Sequence, residues 1–94
     1  MSWSVLESDK TLKQLDRSPR EIQDAFEAWK LIVLNEGPMG LTKVNGYWDH
    51  ALTGEWKGAR SSSLNKQWRV IYTVQNHVFK VLVLRVTAHD YRRK

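Results

Sequence analysis

The chain has 94 residues, no cysteine and a formal net charge of +5. These values exclude a disulfide framework, a thiolate nucleophile and a cysteine-built zinc site, and they point to a single domain, residues 1–94, with one modest core. The opening MSWSVLESDK lacks the basic start and apolar run of a secretory signal. No apolar stretch nears the roughly 20 residues that cross a bilayer, so a cytoplasmic protein with no membrane partner is expected.

Residues 3–7, WSVLE, alternate apolar and polar and read as a short strand. A helix is expected over residues 9–16, with Asp9 as its cap and Leu12 and Leu15 on one face. A second helix opens at SPRE. Ser18 is a natural N-cap, Pro19 suits the first helical position and Glu21 can close a capping box. Ile22, Ala25, Phe26, Trp29, Ile32 and Val33 follow at helical spacing, a stripe that suits packing against a sheet. Gly37 and Pro38 should end this helix near Asn35. Residues 37–56 hold four of the five glycines and read as a loop, which Tyr47, Trp48 and Trp56 should pin to the body. A long loop held down in this way is often where function sits.

The remainder reads as sheet. ARSSSL is a weak strand, QWRVIYTV a strong one, QNH a tight turn, and VFKVLVLRV a central strand apolar on both faces. The expected fold class is α+β: an N-terminal strand, two helices and an antiparallel β-meander, with the helices on one sheet face and the other face open. In QWRVIYTV, Trp68, Val70, Tyr72 and Val74 should turn to the helices. Arg69 then sits on the open face, where Lys57, Arg60 and Arg85 could join it in one basic patch.

Charge is distributed unevenly. Residues 1–50 carry 6 Lys/Arg against 8 Asp/Glu, net −2, whereas residues 51–94 carry 9 against 2, net +7. The second half should attract nucleic acid, an anionic membrane surface or an acidic protein. RNA gives such a patch chemistry to perform. Arginine meets phosphate through a planar fork. In cleavage by the strand's own 2′-hydroxyl, fixed cations stabilise the extra charge on the phosphorane more than the ground state. The step also needs a base and an acid, and histidine can serve as either. His50 in the loop and His89 beyond the last strand are the candidates, whereas His77 in the turn reads as incidental. Tyr91 can stack on a base or donate a hydrogen bond, and Asp90 can orient an imidazole or an arginine. No metal-ligand spacing, P-loop or dinucleotide-binding glycine pattern is present, so neither a cofactor nor a metal is expected.

The pattern L-x-G-x-W-x-G-x-R, then W-R-V-I-Y, then a strand running to H-x-Y, resembles the RelE/ParE superfamily of bacterial type II toxin–antitoxin toxins. It is closest to the RelE-like messenger-RNA interferases, among them the YoeB, YafQ and HigB groups. The likeness implies a RelE-like fold and ribosome-dependent cleavage of messenger RNA, which inhibits translation. It implies that Arg69 stabilises the scissile phosphate and that His50 is an acid–base group. Lys57 and Arg60 would contact RNA; apart from the likeness, Arg85 in the basic patch and the terminal cations Arg92 and Arg93 are also expected to bind it. His89 and Tyr91 share the segment where relatives place an acid–base histidine or a stacking aromatic. The implied partners are a cognate antitoxin, the ribosome with its message, and operator DNA only as the toxin–antitoxin complex. Relatives of the ParE type share the fold but poison DNA gyrase, so a gyrase inhibitor is the alternative, and a non-catalytic basic binding module a further one.

Overall fold

The computed structural model describes residues 2–88. Along the chain run strand β1 (Ser4–Glu7), helix α1 (Asp9–Asp16), helix α2 (Arg20–Glu36), a 3₁₀ segment at Pro38–Lys43, and the two-residue strand β2 (His50–Ala51). A 3₁₀ turn at Gly54–Trp56 then leads to β3 (Arg60–Ser63), β4 (Arg69–Gln75) and β5 (Lys80–Thr87). The α+β fold expected from the sequence is the one observed. The sheet has five strands in the order β1-β5-β4-β3-β2. β2 to β5 are antiparallel neighbours, and β1 adds to β5 in parallel, Val5 opposite Val81.

Helix α2 lies on one sheet face because its apolar stripe matches the pleat. Ile22, Phe26, Trp29 and Val33 are buried against Val70, Tyr72, Val81, Val83 and Val86. Trp29 stacks on Phe26 at 5.6 Å and meets Tyr72 edge-on at 5.3 Å. Lys30 Nζ reaches Glu7 Oε2 at 2.7 Å and ties α2 to β1.

The helix caps differ from expectation. Ser8, not Asp9, caps α1, its Oγ accepting from the Thr11 amide. Ser18 does not cap α2. Its hydroxyl donates to the Leu15 carbonyl at the end of α1, and no side chain caps α2. With Pro19 next in line, Ser18 stays with the end of α1, where the Leu15 carbonyl also accepts from the Ser18 amide at 3.1 Å and from Gln23 Nε2 at 2.9 Å.

One irregularity sets the faces of β5. A bulge makes Ile71 oppose Arg85 while Tyr72 opposes Val83, leaving Leu84 extra. Core positions therefore run Val81, Val83, Val86, and Arg85 is turned away from the helices. The backbone groups freed by the bulge are taken by α1 and its cap. Thr11 Oγ1 donates to the Val83 carbonyl at 3.0 Å, Ser8 Oγ to that of Leu84 at 3.2 Å, and the Val86 amide donates to Gln14 Oε1 at 2.8 Å. Buried backbone groups need such partners. Among the described residues no helix is long and apolar enough to cross a membrane.

Candidate functional site

The faces of β4 follow the alternation read from the sequence. Val70 and Tyr72 join the helix-side core, with Trp68 and Val74 packed beside them. Arg69 and Ile71 therefore point to the other face. That face is not open, however. Loop residues 52–59 fold over it, burying Ile71 with Leu52 and Ala59 and packing Trp56 on top. Arg69 is only 4% exposed, and its Nη1 donates to Ser63 Oγ at 2.6 Å. A buried guanidinium is held in one geometry.

The register shows what shares this face. Arg69 lies opposite Ser63 and Thr87, Ile71 opposite Ser61 and Arg85, and His50 opposite Ser61. Directly paired residues project to the same side. Arg69 and Arg85 are thus diagonal neighbours. His50 is two strands across and two residues along from Arg69, which is about 12 Å between Cα atoms from ordinary strand spacing and rise.

Arg60 belongs elsewhere. It pairs with Tyr72 and so faces the helices, not Arg69 as expected. There its Nε and Nη2 both reach Asp49 Oδ1, at 2.8 and 2.7 Å. The Asp49 carboxylate is 1% exposed. Ser62 Oγ and Tyr72 Oη also donate to it, at 2.6 and 2.5 Å, and Trp29 Nε1 donates to Ser62 at 3.0 Å. Burial raises the Tyr72 phenol far above its usual value, and the Asp49 carboxylate adds to the effect against the pull of Arg60. Burial alone would lower the Arg60 guanidinium, but the hydrogen bond and charge of Asp49 outweigh it and leave it raised. Asp49 is thus a buried ionic hub beside His50, a role its sequence neighbours gave no sign of.

The hub fixes where the next residue starts. His50 Nδ1 lies 2.7 Å from the Trp48 carbonyl. A carbonyl only accepts, so Nδ1 carries the hydrogen, and in the neutral ring Nε2 keeps the lone pair. Nε2 and the hydroxyl of its cross-strand partner Ser61 are both buried, with no hydrogen bond among the described residues.

Beside Arg69 a cavity of about 400 Å³ opens, lined by Gly46, Trp48, Ser63, Asn65, Lys66 and Arg69. Trp48 is expected to pin the loop, as Tyr47 and Trp56 do, but the residue is 71% exposed. Nothing in the sequence marks Trp48, Asn65 and Lys66 as lining this cavity. The cluster Asn65-Lys66-Gln67 reads as an ordinary polar turn, and only the pairing of Ser63 with Arg69 brings it to the cavity. Lys57 is exposed on the turn after Trp56. The Arg85 guanidinium lies over the Trp56 ring, 5.5 Å from its centre, so it is held by the roof of the site. His77 is exposed in the 3₁₀ turn Asn76–Val78. His89, Asp90, Tyr91, Arg92 and Arg93 lie outside the described residues.

Comparison with known proteins agrees on the family. Residues 6–91 match the model of the bacterial toxin of type II toxin–antitoxin systems, YafQ. Among solved structures, YafQ from E. coli strain BL21(DE3) superposes with a TM-score of 0.75 at 18% identity, covering 93% of each chain. The archaeal RelE–RelB complex from Pyrococcus horikoshii OT3 also gives 0.75, at 21% identity over 100% of this chain and 99% of that one. The RelBE2 toxin–antitoxin complex from Mycobacterium tuberculosis gives 0.69 at 18% identity, over 95% and 100%. No match is found among curated protein sequences.

Proposed function

Since this chain belongs to the YafQ family of bacterial type II toxin–antitoxin toxins, within the RelE/ParE superfamily, we propose that it is an RNA endonuclease that cuts messenger RNA on the ribosome without a metal, as one domain spanning residues 1–94. The observation that carries this reading is the guanidinium of Arg69. It lines a cavity together with Lys66, and it shares its sheet face with His50 and Arg85.

In this reading the 2′-oxygen attacks the adjacent phosphorus and the bond from phosphorus to the 5′-oxygen breaks. The products are a 2′,3′-cyclic phosphate and a 5′-hydroxyl. Arg69, with its fork fixed by Ser63, meets the charge that grows on the phosphorane. Lys66 and Arg85 add to the field, with Lys57, Arg92 and Arg93 along the strand. His50 takes the 2′ proton on Nε2. That atom is covered in the unliganded chain, so its exposure accompanies substrate docking. The acid that protonates the 5′-oxygen is assigned to His89 or Tyr91, oriented by Asp90. Arg60 contributes through Asp49 rather than through RNA. The ribosome supplies the alignment that turns a partial set of groups into a working one.

Several of the solved relatives are toxin–antitoxin complexes, which supports a cognate antitoxin as the partner of this chain. The pair, rather than the toxin alone, would bind operator DNA.

The test is induced expression followed by mapping of transcript 5′ ends. Cuts that follow the reading frame are expected with wild-type protein, and none with Arg69→Ala. Intact transcripts together with impaired gyrase supercoiling would replace this reading with the ParE-like one.

A further inference from the structure

We propose that Trp48 is a stacking platform for a nucleobase next to the cleaved bond, and that it gives this toxin a preference for a purine there. The inference rests on the ribonuclease reading above. It concerns a residue that the sequence offers only as a loop anchor and to which the comparisons give no role.

The first observation is exposure. Trp29 is fully buried and Trp3, Trp56 and Trp68 are half-buried against the two cores, but Trp48 presents 71% of its surface. A tryptophan left in water forgoes the largest apolar gain any side chain offers.

The second is conformation. Trp48 sits at φ +51°, in the left-handed region, which a bulky residue adopts only when its surroundings impose it. Here they do. The carbonyl of Tyr47 accepts from the Ser63 amide at 2.6 Å, the carbonyl of Trp48 faces His50 Nδ1, and Asp49 is locked by Arg60, Ser62 and Tyr72. The backbone is clamped on both sides, so the ring is held out from a rigid base rather than from a slack loop.

The third is what surrounds the ring. The cavity beside it is large enough for a small ligand and combines two cations, Lys66 and Arg69, with the aromatic surface. Cations that track phosphates and an aromatic on which bases stack are the two parts of a single-strand subsite. Asn65 has its Oδ1 committed to the amides of Gln67 and Trp68, and its Nδ2 reaches Glu21 at 3.4 Å. It braces the cavity wall rather than reading a base edge. Selectivity then comes from stacking strength, which is greater for the larger ring system of a purine.

The test uses ribosomes programmed with a message whose codon in the decoding site is made of 2′-deoxynucleotides, so that it binds without being cut. The purine analogue 2-aminopurine is placed at each codon position in turn. Wild-type protein should quench its fluorescence at one position. Trp48→Ala should abolish the quench, and Trp48→Phe should keep part of it. On the all-ribose message Trp48→Ala should raise KM by roughly 5- to 150-fold, the range for removing one stacked base. It should leave kcat within about threefold and flatten the purine-to-pyrimidine rate ratio at that position.

An unchanged quench in Trp48→Ala overturns the inference. So does a Trp48→Ala protein that cleaves normally but no longer holds its antitoxin, which would make the ring a protein contact. Wild-type protein that cuts without quenching defeats the stacking alone. Wild-type protein that quenches but leaves the all-ribose message whole defeats the nuclease reading and keeps the stacking.

Discussion

His50 Nδ1 sits 2.7 Å from the carbonyl oxygen of Trp48, two residues before it in the chain. The bond decides which ring nitrogen is left to accept a proton, and it comes from the backbone, so no side-chain substitution at position 48 removes it. His50→Ala should therefore reduce cleavage of ribosome-bound message by about 10²- to 10⁴-fold, the usual share of a positioned acid–base group, while Trp48→Phe keeps the rate constant of the chemical step. Single-turnover rates on programmed ribosomes check both.

Arg69 provides a comparison between two cations. Arg69→Lys keeps the charge but loses the planar fork and the fixed bond to Ser63. It should retain only a small part of the wild-type rate, and Arg69→Ala should lose at least about 10²-fold, as for removal of one transition-state donor. Circular dichroism melts of both variants, run alongside, establish that the sheet is intact.

Tyr72 should make the fold sensitive to alkali. Its phenol is raised by burial first and by Asp49 second, while an unfolded tyrosine titrates near 10. Below about pH 10 both states keep the proton and the contribution is whole. Above it the unfolded chain releases its proton first, so stability falls as pH rises. Tyr72→Phe should cost about 2 kcal/mol at pH 7, the worth of a hydrogen bond to a charged group, and should fall less steeply above pH 10. Urea titrations at pH 7 and at pH 10.5 measure the difference.

Gly37 is expected to resist substitution. It ends α2 at φ +78° and ψ 178°, a conformation almost confined to glycine. A Cβ there would lie 2.5 Å from Trp3 Nε1 and 2.7 Å from Trp3 Cε2. Gly37→Ala should destabilise by about 2–4 kcal/mol from strain and overpacking together, seen as a lower urea midpoint. Trp3→Ala in the same background should recover part of the loss by removing the clash.

The elements of this fold were legible because their signals are local. α1 spans Asp9–Asp16 as expected, α2 stops at its glycine, and β5 is flanked on both sides. The site was less legible because its signals are not. Alternation placed Arg69 on the face away from the helices, but nothing near it in sequence says that residues 52–59 will cover that face. Arg60 was read beside Arg69, yet the register sets it opposite Tyr72 and against Asp49. Arg85 reaches the Arg69 face through a bulge whose freed backbone groups are satisfied by α1, some 70 residues earlier. The exposure of Trp48 is a property of a clamped backbone, which an aromatic in a glycine-rich loop does not announce.

The parallel pairing of Ser4–Glu7 with Lys80–Val83 governs when the molecule comes into being during synthesis. Its opening segment has no docking place until residue 83 has left the exit tunnel, so a nascent chain that stalls earlier holds an unfinished sheet. The sheet thus closes late, when β5 arrives to sit between β1 and β4.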